Sequence, residues 1–195
     1  MKITCKEYDE LGRRESQLHL DEWAGRISVE EFSLKSDKLL DELLSFENVS
    51  SYPTFKEFVD GFSDSLLKAY NQAGIMLPYG WRGWVLEEAK HEREHFEASQ
   101  RYGITPSYGL LHQDTPLPRF WQPFTILRSA DILEKGWDRY MRFRHLIDVT
   151  SAPKVLSPGD KESLRILGSG VRLQKEFTQE QRGELLRMVH LGLRK

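Results

Sequence analysis

The chain contains a single cysteine, Cys5. That excludes an internal disulfide framework and a cysteine-rich zinc ribbon. Any metal site must therefore use histidine and carboxylate ligands. No apolar run approaches the roughly 20 residues a membrane helix needs, and the first ten residues hold no apolar core of a secretory signal. These absences point to a cytoplasmic location with no membrane partner. Neither sign of charge dominates: Lys and Arg number 28 against 30 Asp and Glu, a net charge of -2. No global basic field draws in nucleic acid, which is not expected as a partner. Internal repeats and low-complexity tracts are also lacking.

What remains is a globular balance. With 195 residues, 39% hydrophobic and 30% charged, the chain is long enough for one domain with a real core. Helix start signals are legible. Ser28 with Glu31, Thr54 with Glu57, and Thr178 with Gln181 fit the capping box. Ser157-Pro158-Gly159-Asp160 sets a capping serine before a proline at the first helical position. Apolar periodicity predicts helices over 29–46, 55–73, 81–102, 131–149, 161–167 and 179–193. Two strands or an extended arm are expected over 104–111 and 120–127, with Asp114, Pro116 and Pro118 between them. The stretch 151–170 reads as looser, a candidate linker. The expected fold is α+β and predominantly helical, about six helices with a small β-hairpin or arm after the third. Residues 1–150 form the main helical domain, and 151–195 a C-terminal helical extension packed on it.

One stretch carries chemistry: Glu88-Ala89-Lys90-His91-Glu92-Arg93-Glu94-His95. At about 100° per residue, His91, Glu92 and His95 fall within roughly 60° of Glu88 on a helix. Trp81, Trp84, Val85, Ser99 and Tyr102 share that side. Glu87, Lys90, Arg93, Glu94, Glu97, Gln100 and Arg101 lie opposite and read as the solvent face, with Leu86 the exception. Two carboxylates and two imidazoles on an inward face are costly unless partnered. One divalent cation satisfies all four. So does a protein network of hydrogen bonds.

His91-Glu92-Arg93-Glu94-His95 resembles the HEXXH motif of the zincin metallopeptidases. The resemblance implies that His91 and His95 are zinc ligands, that Glu92 is a general base and that a third ligand follows downstream. The same residues also read as the inverted HxxEH motif with Glu94 as base, but Glu94 points to the solvent side. Glu88-x-x-His91 and Glu92-x-x-His95 are similar to the ligand unit of ferritin-like carboxylate proteins. No further ExxH lies elsewhere in the chain. His112 is the foremost candidate for a third ligand, Glu88 the local alternative and Asp114 a weaker one. Zn²⁺ is the expected ion, with Fe or Mn as alternatives.

Other features point to blander roles. Arg139, Arg142 and Arg144 with His145 read as a basic, solvated helix face. His190 reads as surface or half-buried, and His19 lies in a polar stretch with no partner in sequence. Tyr79, Trp81, Trp84, Tyr108, Phe120 and Trp121 suit either a pocket lining or ordinary core. Gly168-Ser169-Gly170 reads as a turn, and nothing beside Cys5 in sequence suggests a nucleophile. The expected function is a metal-binding protein, with metal-dependent hydrolysis of a small molecule or peptide as its candidate activity. The alternative is a non-catalytic helical interaction or structural protein with a buried His/Glu network.

Overall fold

Reciprocal capping boxes start several of the helices. Thr4 with Glu7, Thr54 with Glu57, Ser157 with Asp160 and Thr178 with Gln181 each satisfy an unpaired backbone N–H at both ends of the motif. The computed structural model describes residues 1–112 and 121–195. Asp114, Pro116, Pro118 and Phe120, named above, lie outside the described residues. The order is α1 (Cys5–Trp23), α2 (Val29–Leu44), β1 (Val49–Tyr52), α3 (Phe55–Ala73), α4 (Trp81–Gln100), β2 (Ser107–His112), β3 (Trp121–Ile126), α5 (Ser129–Leu133), α6 (Arg139–Thr150), α7 (Pro158–Leu173) and α8 (Gln179–Leu193).

The chain is mostly helical with one small antiparallel sheet in the order β1-β2-β3. Val49 faces Leu111 and Tyr52 faces Tyr108 in the first pair. Ser107 faces Ile126 and His112 faces Trp121 in the second. Among the described residues there are eight helices rather than about six. Two elements are additions to the expected set. α1 lacks a strong apolar stripe, and β1 is only four residues long, too short to show alternation. The helix expected over 131–149 is two: Gly136 at φ +62° breaks it, and Asp138 caps α6 by accepting from the Met141 N–H at 2.8 Å.

The stretch expected to be loose is instead largely α7, whose Leu164, Leu167 and Val171 are buried. Gly168-Ser169-Gly170 lies inside that helix rather than in a turn. A Cβ on Gly170 would stand 2.3 Å from the Trp23 ring, so the helix approaches α1 there only because the side chain is absent.

Three apolar clusters hold these elements. Trp23 joins Phe143, Ile147, Leu164, Val171, Leu185 and Val189 across α1, α6, α7 and α8. Phe58, Phe62, Val85, Ala89, Tyr108 and Trp121 join α3 and α4 to the sheet. Ile3, Leu11, Val49 and Leu111 close the far edge. Tyr108 and Trp121 are thus core, while Tyr79 is fully exposed. α4 packs against α3, α6 and β3, so its inward face meets three elements at once. No described helix is long and apolar enough to cross a membrane.

Candidate metal centre

α4 buries Val85, Ala89, Glu92, His95, Ala98 and Ser99. This is the face the angular arithmetic assigns inward. His91, Glu92 and His95 each offer a ligand atom, and these atoms lie within 4.8 Å of one another. The three form a possible metal-binding triad, the one such group among the described residues. The His91 and His95 rings meet edge to face with centroids 5.0 Å apart.

The partner that sequence reasoning missed is Asp160. Its Oδ2 lies 3.0 Å from His91 Nε2, and its Oδ1 lies 3.2 Å from His95 Nε2. One carboxylate therefore spans both imidazoles. Oδ2 also accepts from the Ser157 N–H at 2.8 Å and from the Ser157 hydroxyl at 2.7 Å. Asp160 closes the α7 capping box and holds the histidines with the same group. The helix N-terminus adds its partial positive charge to the carboxylate's surroundings. The sequence marks Asp160 as a cap, but nothing local says which residues it meets across the fold.

The second nitrogen of His95 is also committed. Nδ1 lies 2.8 Å from the Val149 carbonyl. That carbonyl lies in the last turn of α6 and also accepts from the Ala152 N–H at 3.1 Å, so His95 takes its second lone pair. A carbonyl only accepts, so Nδ1 carries the hydrogen and donates. A neutral His95 then turns a bare Nε2 lone pair toward the Asp160 oxygen, two acceptors face to face. Two arrangements relieve this: a second proton makes His95 an imidazolium, or a cation lies between the nitrogen and the carboxylate.

Glu92 closes the inner side. It is 6% exposed, and its Oε2 accepts from the Thr125 hydroxyl on β3 at 2.9 Å. Burial pushes its carboxyl up, outweighing the pull of His95 and His91 and of the Thr125 bond. Burial works to lower His95 and His91, but Asp160 and Glu92 outweigh it and raise both. Burial likewise works to raise Asp160, and the hydrogen bonds of the two histidines and Ser157 hold it well below the usual carboxylate range. His91, its side chain 20% exposed, is the open edge of the group.

The remaining candidates are placed elsewhere or at the margin. His112 sits at the end of β2, stacked on Trp121 with centroids 5.4 Å apart, and is not among the gathered ligand atoms. Glu88, half-buried one turn before His91, adds charge that favours the His91 cation but stands outside the triad. Glu94 accepts from the Lys154 N–H at 2.8 Å and tethers the segment before α7.

His145 is fully buried rather than on a basic face. Its Nε2 meets the Ser99 hydroxyl at 3.2 Å, and desolvation lowers its pKa to about 4. Arg139 and Arg142 turn inward to share the buried Glu22, so they are not a solvated patch either. His190 is exposed, as expected. No protein-family model matches the chain, and neither a curated protein nor a solved structure is significantly similar to it.

Proposed function

We propose that the protein is a metal-binding protein whose centre is His91, His95 and Asp160, with Glu92 beside it. One observation carries this reading: the Asp160 carboxylate faces both Nε2 atoms while the Val149 carbonyl commits His95 Nδ1. A metal-ligating histidine commonly donates its other N–H to a carbonyl or carboxylate, which fixes the tautomer. Zinc is the ion this donor set suits, because two imidazoles and a carboxylate are common zinc ligands. Tetrahedral arms of about 2.0–2.1 Å put neighbouring ligand atoms ~3.3 Å apart. The observed separations of 3.0 and 3.2 Å approach that edge.

Such an ion would supply Lewis-acid chemistry. Two imidazoles and one carboxylate leave a fourth position, and His91 is the exposed side. Glu92 Oε2 is held by Thr125, and burial makes the carboxyl more basic. That suits Glu92 to take a proton in a hydrolytic step. The zincin-like roles of His91, His95 and Glu92 are part of this proposal, with Asp160 in the downstream ligand's place and a small molecule or peptide as substrate.

A second reading rests on the same distances. If both histidines carry protons, Asp160 and Glu92 satisfy them as a closed polar network and the protein is non-catalytic. Elemental analysis of tag-free protein separates the two. Near-stoichiometric zinc, iron or manganese that disappears in His91→Ala/His95→Ala and in Asp160→Asn supports the metal centre. Protein that stays metal-free after reconstitution with each of the three ions leaves the polar network.

A further inference from the structure

Among the described residues the exposed apolar side chains are unevenly spread. Leu34, Val155, Leu173 and Leu191 are widely spaced along the chain, and single exposed apolar residues are ordinary. Ile75, Met76 and Tyr79 are instead gathered in the loop 74–80 between α3 and α4. Met76 is 91% exposed and Tyr79 107%. A side chain as open as in an extended chain can only project, so the loop is a tip. The hollow beside it, lined by Asn71, Gly74, Ile75, Met76 and Leu77, is shallow and open to solvent.

The chain around the tip is built to hold it out. Gly74 and Gly80, left-handed at φ +66° and +81°, turn the backbone at its two ends. Leu77 packs back on the cluster of Phe58, Phe62 and Val85 and anchors the loop from below. Trp81, half-buried at the base, carries the Arg82 guanidinium 5.3 Å above its ring.

The charge around the tip is of one sign. From Ser65 to Leu86 the sequence holds no acid, and its two charged residues are the cations Lys68 and Arg82. Acids make up 30 of the 195 residues, so this gap is a local departure and not a property of the composition. Among the described residues neither cation has an ion-pair partner. The flanking acids are Asp64 and Glu87. At about 1.5 Å per helical residue they stand roughly 14 and 9 Å back from the loop, against roughly 8 and 2 Å for Lys68 and Arg82. Interfacial segments bury their apolar side by about 5–10 Å, and the loop itself takes up much of that depth. The cations then lie at headgroup level and the acids in water.

We infer that the 74–80 loop docks the protein on an anionic bilayer surface, with Ile75, Met76 and Tyr79 among the lipids and Lys68 and Arg82 on the lipid phosphates. The apolar tip gains by leaving water. Tyr79 and Trp81 bring rings with one apolar and one polar end, which suit the interface. The negative surface potential draws in the two cations. A second copy of the chain meeting this one about a two-fold axis would set tip against tip and Arg82 against Arg82. Surface docking needs no spanning segment. The lack of a membrane-crossing helix therefore does not bear on it, and the sequence expectation of no membrane partner, drawn from spanning and signal segments alone, does not reach it.

The test is co-sedimentation of the full-length protein with phosphatidylcholine vesicles and with vesicles that also hold about 30% phosphatidylglycerol. Binding to the anionic vesicles should be at least about tenfold tighter. Met76→Ser/Tyr79→Ser should weaken it at least about tenfold. Lys68→Gln/Arg82→Gln should remove most of the preference for anionic lipid. Leu34→Ser/Val155→Ser changes two side chains of similar exposure outside the loop and should bind as the wild type does. All these positions are exposed, so unchanged urea midpoints show that the variants are folded. No binding to either vesicle, binding that survives Met76→Ser/Tyr79→Ser, or equal loss in Leu34→Ser/Val155→Ser would overturn the inference. So would self-association in sedimentation velocity that Met76→Ser/Tyr79→Ser abolishes while the wild type ignores vesicles, which would give the loop to a second copy of the chain.

Discussion

At the scale of single residues, Asp160 does two jobs that separate substitutions pull apart. Ser157→Ala removes the capping hydroxyl but leaves the carboxylate. It should cost about 1 kcal/mol of stability and keep the metal content of the wild type, read by denaturant midpoint and elemental analysis. Asp160→Asn keeps much of the shape and removes the charge facing both histidines. It should lower metal content to the level of His91→Ala/His95→Ala. Thr125 supplies the hydroxyl that holds Glu92 Oε2. Thr125→Val leaves a buried carboxylate short of a donor, at a cost of about 1–3 kcal/mol. Thr125→Ser should restore most of that loss in urea melts; equal damage from both variants would mean that the hydroxyl contributes nothing. The inward turn of His91, Glu92 and His95 was legible because helical angle is a local property. Asp160 was not, because pairing across the fold leaves no local mark and its own neighbourhood already explained it as a cap.

At the scale of elements, legibility followed the caps. α3 and α8 begin where Thr54 and Thr178 place them, since a capping box is written in four consecutive residues. The equivalent signal at Thr4 and Glu7 starts α1, but a helix with so few apolar positions does not declare a buried face. The break between α5 and α6 had a cue in Gly136 and Asp138, overridden by the continuous apolar spacing on either side. Gly170 shows the limit of reading a glycine as a turn. It lies inside α7 because Trp23 occupies the place of its side chain. Gly170→Ala raises helix propensity by about 1 kcal/mol but forces a methyl into that ring. The net result should be a loss of about 1–3 kcal/mol, measured as a lower urea midpoint; a gain in stability would mean that α1 and α7 separate freely at this point.

At the scale of the whole molecule, two opposed groups of histidines shape the response to acid. His19 and His145 are pushed from an ordinary 6.5 to about 4. The unfolded chain binds their protons first, so stability falls as pH drops from about 6.5 toward 4, by up to ~1.4 kcal/mol per pH unit per histidine. His91 and His95 are raised. Their contribution in the metal-free protein is complete below the unfolded value and is lost as pH rises through the folded one. Between pH 6.5 and 4.5, where the His91 and His95 contribution is already complete, the urea midpoint should decline less in His145→Gln than in the wild type. An ion at one hundred times its Kd should add about 2.7 kcal/mol, a rise of about 5–10 °C in Tm for a chain of this size. Asp160→Asn should abolish that rise.

The separation between His95 and Asp160 along the chain also fixes when the centre is completed. During synthesis the two histidines leave the ribosome well before α7 exists, and helix α4 alone presents a half-built grip. Only the arrival of residue 160, with Ser157 already winding the first turn of α7 around it, brings the carboxylate to both histidines. If Asp160 is the third ligand proposed above, a ribosome-bound fragment that stops short of α7 should hold an ion less durably than the full chain, and metal retention would time-stamp the docking of the C-terminal helices during translation.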